Sequence, residues 1–69
     1  MKLSARNVVK GKVTKVTHGA VNSEVVLELE GGVEIVSIIT RQSAETLGLA
    51  EGSEAWAVIK ASNVMIAVD

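Results

Sequence analysis

A chain of 69 residues with 7 Lys and Arg against 8 Asp and Glu, one His, one Trp and no Cys, Phe, Tyr or Pro is one domain at most. It excludes disulfide staples, Cys-based zinc sites, His-rich metal sites and the basic, aromatic surface of a nucleic-acid binder. Apolar residues still make up 48% of it, nearly all aliphatic. That is more than so small a core hides, so self-assembly is the expected stabiliser.

The first element in chain order is a strand over 8–17. Val9 and Val13 share one parity and Val16 takes the other, which predicts a bulge near Thr14 and Lys15. Gly11 marks a bend or a close backbone approach. His18, Gly19 and Ala20 form a turn. Strands follow over 21–30 and 33–40, joined by Gly31 and Gly32, which reads as a tight hairpin with a primed turn. The expected register sets Glu30 opposite Val33, Leu27 opposite Val36 and Val25 opposite Ile38, with Leu29 on the same core face. The other face then carries Glu24, Val26, Glu28, Glu30, Ile35, Ser37 and Ile39. That face is too apolar for solvent and is expected to pack on another subunit.

Next, Thr40 caps a short helix over 41–47, ended by Gly48. Leu47 and Leu49 are expected to plug one end of the fold. Two more strands, 53–60 and 62–69, alternate to the end of the sequence. The fold class is mostly β: an OB-like five-stranded Greek-key barrel with one short helix between strands 3 and 4, with residues 1–69 as a single domain. No run of 18 apolar residues is present, and Ser4, Arg6, Asn7 and Lys10 interrupt the first stretch. Neither a transmembrane helix nor a signal peptide is expected, and the cytoplasm is the default location.

Two short motifs share one chemistry. "SARN" at 4–7 offers a hydroxyl, successive backbone N–H groups and a guanidinium fork. "KAS" at 60–62 offers an ammonium, an N–H and a hydroxyl. Neither contains a carboxylate. Together they suit a tetrahedral oxyanion, whose oxygens are all acceptors. The bland readings are a polar strand edge for the first and a snorkelling lysine at a strand junction for the second. "GAVNSE" at 19–24 is a weaker third candidate, a polar turn whose N–H groups with Asn22 and Ser23 would hold an anion without charge. His18 reads as a turn residue and Trp56 as packing. No nucleophile–base pair, phosphate loop or metalloprotease helix is present, and no enzyme is read here.

Over essentially its whole length the chain resembles the Mop family of molybdate-binding proteins, the molbindins. "SARNVVKGKV", "GAVNSEVVLEL", "LGLAEGSEAWAVIKAS" and "VMI" carry the resemblance, in order and compactly spaced. The same module occurs inside molybdate-responsive regulators and transport ATPases. The resemblance implies small OB-like barrels assembled as a hexamer, a trimer of dimers, binding molybdate or tungstate at subunit interfaces. One kind of site would use Ser4, Ala5 and Arg6 with Lys60, Ala61 and Ser62. A second, near the threefold axis, would use Ala20, Val21, Asn22 and Ser23. The residues suit the bare oxyanion rather than a pterin, since Trp56 is the sole aromatic face. A lone module implies storage and homeostasis of the oxyanion, with no catalytic cofactor, nucleic acid or membrane as partner. Two rival classes are a structural assembly module with incidental anion sites and a single-stranded nucleic-acid binder, the latter lacking stacking platforms and a basic groove.

Overall fold

The computed structural model describes residues 1–69. Four strands, β1 (Asn7–His18), β2 (Asn22–Leu29), β3 (Glu34–Thr40) and β4 (Glu54–Ile59), form one antiparallel sheet in the order β3-β2-β1-β4. The sheet is curled into a half-barrel, open between β3 and β4. One helix, α1 (Arg41–Thr46), connects β3 towards β4.

β1 is long because it serves two neighbours. Its first half, Asn7 to Lys12, pairs with β4, and Gly11 to His18 pair with β2. The predicted bulge is there: the register steps between Val13 and Lys15, leaving Thr14 as the extra residue. The step lets Val13 and Val16 both face inward despite their opposite parity. A tight turn hooks onto the bend, with the Gly52 N–H donating to the Val13 carbonyl and the Val13 N–H to the Ser53 carbonyl, each at 2.8 Å. Gly11 is a true close approach, since a Cβ there would lie 2.7 Å from the Glu28 carbonyl oxygen.

The core is small. Val13, Val25 and Leu27 are buried, with Val16, Leu29, Ile39, Leu49, Ala55 and Ala57 packed against them. Ala44 is buried beneath α1. The α1 N-terminus is capped as expected: the Ser43 N–H donates to the Thr40 hydroxyl at 3.0 Å. The Gly48 N–H returns to the Glu45 carbonyl at 3.0 Å, with Gly48 at φ +65°.

Four expectations are corrected. The hairpin register lies one residue away from the predicted one: Leu27 pairs with Ile35, Val26 with Val36, Val25 with Ser37 and Glu24 with Ile38. Gly31 and Gly32 take positive φ as expected, at +87° and +85°, but Glu30 joins them in the loop. The loop takes three residues, closed by Gly32 N–H to the Leu29 carbonyl at 3.1 Å and Leu29 N–H to the Val33 carbonyl at 2.7 Å. A one-residue shift exchanges the faces of β3. Ile35 and Ile39 turn inward and are half-buried, while Val36 and Ile38 are 60% and 61% exposed beside Val26. The outer apolar patch survives, with different members.

The fifth strand is absent. A 3₁₀ turn over Ala61–Asn63 redirects the chain, and residues 65–69 make no backbone hydrogen bond. Met65, Ile66 and Val68 are 92%, 85% and 91% exposed. Finally, only Leu49 reaches the core; Leu47 is exposed because the helix ends at Thr46 and leaves it as the C-cap. The inner face between β3 and β4 remains an open cavity of about 580 Å³ lined by Leu27, Ile35, Ile39, Leu49, Ala57 and other apolar side chains.

Candidate functional site

The β1/β4 ladder brings the two donor motifs together. Its last registered pair is Asn7 with Ile59. One residue further in each direction lie Arg6 and Lys60, so "SAR" leaves the sheet where "KAS" also leaves it. Both segments abandon the ladder there, which frees their backbone. The N–H groups of Ser4, Ala5, Arg6 and Lys60 donate to no backbone carbonyl. The 3₁₀ turn meanwhile consumes acceptors: the Lys60 carbonyl accepts from Asn63 at 2.9 Å and the Ala61 carbonyl from Val64 at 3.2 Å.

The charges at this end are also uncommitted. The chain has two ion pairs, Lys10–Glu54 at 3.3 Å and Arg41–Glu45 at 2.9 Å. Arg6 and Lys60 belong to neither. Ser4, Arg6, Lys60, Ala61 and Ser62 are exposed, and Ala5 is half-buried. The arrangement is a cationic, donor-rich end of a sheet with no carboxylate paired into it. One chain supplies one wall, and the apolar pair Val8 and Val58 lies next to it on the outer face, 37% and 48% exposed.

One face of the half-exposed Trp56 ring is occupied by a cation. Lys10 Nζ sits 5.6 Å from its ring centroid and is held there by Glu54.

The second candidate lies at the other end of β1. Ala20, Val21 and Asn22 are exposed on the turn into β2. Ser23 is not: it is 1% exposed, and its hydroxyl is 2.6 Å from His18 Nδ1. The structure therefore turns Ser23 inward and places His18 at the surface above it. Arg41, which sequence reasoning left out, clamps this turn from α1. Its backbone N–H donates to the Val21 carbonyl at 2.8 Å and its Nη1 to the Gly19 carbonyl at 3.4 Å. Arg41 is 22 residues from Gly19, so no local signal announces the contact. No group of three or more His, Cys, Asp or Glu side chains converges to hold a metal ion. No helix is long and apolar enough to cross a membrane.

The TOBE domain family matches residues 3–66. Molybdenum-pterin-binding protein 3 of Clostridium pasteurianum is 54% identical over 66 residues, 96% of this chain and 97% of that one. Among solved structures, MopII from Clostridium pasteurianum superposes with a TM-score of 0.93 at 51% identity, covering 97% of this chain and 100% of that chain. The cytoplasmic molybdate-binding protein ModG, solved with molybdate bound, superposes with a TM-score of 0.91 at 52% identity, covering 94% of this chain and 46% of that chain.

Proposed function

The chain belongs to the TOBE-domain family, among its molybdenum-pterin-binding (Mop) proteins, and on that premise we propose that it binds molybdate or tungstate as the bare oxyanion and stores it in the cytoplasm. The observation that carries this reading is the end of the β1/β4 ladder. Two cations without carboxylate partners, Arg6 and Lys60, stand one residue beyond the last strand pair, among backbone N–H groups that have no acceptor. A carboxylate inside such a set would favour a protonated ligand. Its absence favours a dianion. The first site comprises Ser4, Ala5 and Arg6 with Lys60, Ala61 and Ser62. The second comprises the turn at Ala20, Val21 and Asn22, with Ser23 buried beneath it rather than facing the ligand as expected from the sequence.

Each charge-assisted hydrogen bond contributes about 1.5–3 kcal/mol, so a few of them give a useful affinity. Selectivity over sulfate comes from size: the smaller anion leaves donors unmet in a cage set for longer metal–oxygen bonds. Molybdate and tungstate are close in size, and little discrimination between them is expected. The chain adds no catalytic step; binding is its activity.

The sites lie at subunit interfaces of a homo-oligomer, with a hexamer of three dimers as the expected assembly. Three features support assembly. The inner face of the sheet is an open apolar cavity. Val36 and Ile38 on one edge and Val58 and Trp56 on the other are substantially exposed. The terminal segment from Met65 to Val68 keeps strand-like apolar residues with no backbone partner in its own chain. Contiguous apolar surface of this kind marks association. Enclosure by a neighbour would dry the exposed donors and strengthen each of them.

Calorimetric titration with molybdate in a large excess of sulfate tests the reading. Saturable binding that sulfate does not suppress is the expected result. Absence of heat, or heat abolished by sulfate, would reduce the chain to an assembly module whose cationic end holds nothing in particular.

A further inference from the structure

The family resemblance puts Ser23 in the second oxyanion site, yet Ser23 is 1% exposed. A hydroxyl buried to that degree does not reach a ligand at the surface. Its one hydrogen-bond partner is His18 Nδ1, at 2.6 Å. The two residues are a cross-strand pair, the last of the β1/β2 ladder, and His18 itself is exposed.

From this geometry, and resting on the second-site reading, we propose that His18 is the side chain the turn presents to an oxyanion. Ser23 is a positioning residue that holds the imidazole from beneath. A buried hydroxyl hydrogen needs an acceptor, and the Nδ1 lone pair is the one in reach. Ser23 therefore donates and Nδ1 accepts. The ring hydrogen is then on Nε2. Nε2 has no partner in the chain and becomes a fixed, neutral donor at the surface.

The rest of the turn is arranged to the same effect. The carbonyls of Gly19, Val21 and Asn22 are each occupied, by Arg41 Nη1 at 3.4 Å, Arg41 N–H at 2.8 Å and Gly19 N–H at 2.7 Å. The N–H groups of Ala20 and Val21 donate to no backbone carbonyl. Besides the Ala20 carbonyl, the turn leaves three donors open: two successive amides and Nε2–H. Arg41 is held by Glu45 at 2.9 Å, so this set recognises an anion through hydrogen bonds more than through net charge. The ligand class is a small tetrahedral oxyanion.

The test is long-range ¹H–¹⁵N NMR on the intact protein at pH 8.5, above the ordinary titration range of histidine, without and with molybdate. The expected spectrum shows His18 as the Nε2–H tautomer. Ser23→Ala should convert it to a tautomer mixture. On titration, His18 Nε2 and the Ala20 and Val21 amides should shift together to saturation. An Nδ1–H tautomer in the free protein would overturn the positioning role. Amides that shift while Nε2 stays still would remove His18 from the site but leave the second site standing. If neither moves up to saturation of the first site, the second-site reading fails and the role of His18 fails with it.

Discussion

Replacing Gly11 with alanine inserts a methyl group where two strands touch. An ideal Cβ at this position lies 2.7 Å from the Glu28 carbonyl oxygen, 2.8 Å from Leu27 Cγ and 3.0 Å from Leu29 Cδ2. Comfortable separations are about 3.5–4.0 Å. The two leucines can rotate aside, but the carbonyl belongs to the backbone of β2 and moves only if the β1/β2 ladder opens. Overpacking of this kind costs about 1–3 kcal/mol, and the lost flexibility of the unfolded chain returns roughly 0.4–1 kcal/mol. Because the closest contact is backbone, a net destabilisation of about 1.5–2.5 kcal/mol is expected. Urea unfolding at fixed chain concentration measures it, followed by the fluorescence of Trp56, one ladder position away on β4. With m near ~1 kcal/mol/M for a small chain, the midpoint should fall by roughly 1.5–2.5 M at unchanged m. Gly31→Ala is the control: nothing lies within 4 Å and φ is +87°, so about 1–2 kcal/mol of backbone cost is expected without any clash. An unchanged or raised midpoint for Gly11→Ala would refute the close approach.

Lys60→Ala should weaken molybdate binding roughly 10- to 150-fold in calorimetry, the equivalent of one charge-assisted bond, while the unfolding midpoint of the ligand-free chain stays put because Lys60 is exposed and unpaired. Thr40→Ala removes the hydroxyl that accepts from the Ser43 N–H and should lower stability by about 1 kcal/mol in the same urea assay. Ile66→Asp, at a side chain 85% exposed, should leave a lone chain indifferent but reduce the mass seen by light scattering if the terminal segment packs on a neighbour.

What the sequence made legible is local. Opposite parity of Val13 and Val16 located the bulge at Thr14, and Thr40 with Gly48 bracketed the helix. The hairpin register was not legible for a specific reason. β3 reads Ile35, Val36, Ser37, Ile38, Ile39, apolar at both parities, so a one-residue slip leaves the pattern equally satisfied. Turn chemistry had to decide, and Gly31 and Gly32 at positive φ fit a two-residue loop as well as the three-residue one the chain closes between Leu29 and Val33. The last strand failed because a strand is defined by its partner, and the segment after Val64 finds none in its own chain. At the candidate site, donor-only chemistry was visible in "SAR" and "KAS". Their adjacency depends on the Asn7–Ile59 pair. The inward turn of Ser23 depends on a register that includes the bulge.

A β-ladder uses N–H and C=O groups in equal numbers, so its end is electrically indifferent unless something spends one kind first. Both proposed sites lie at ends of β1, and at both the local turn spends part of the acceptors. The 3₁₀ turn occupies the Lys60 and Ala61 carbonyls. The clamp from Arg41 and the Gly19 N–H occupy those of Gly19, Val21 and Asn22. The open N–H groups at each end therefore face fewer competing acceptors, with cations added at the first end and none uncommitted at the second. That difference predicts how the two respond to salt. Exposed charge is screened within about 10 Å at 0.1 M ionic strength, whereas uncharged hydrogen bonds are much less affected. Raising sodium chloride should therefore weaken molybdate binding at the Arg6–Lys60 end more steeply than at the His18 turn. Amide shifts of Ala5 and Ala20, followed in one titration at two salt concentrations, separate the two. Equal salt slopes would mean that the turn borrows charge from elsewhere, and the distinction between a charged site and a neutral one would be lost.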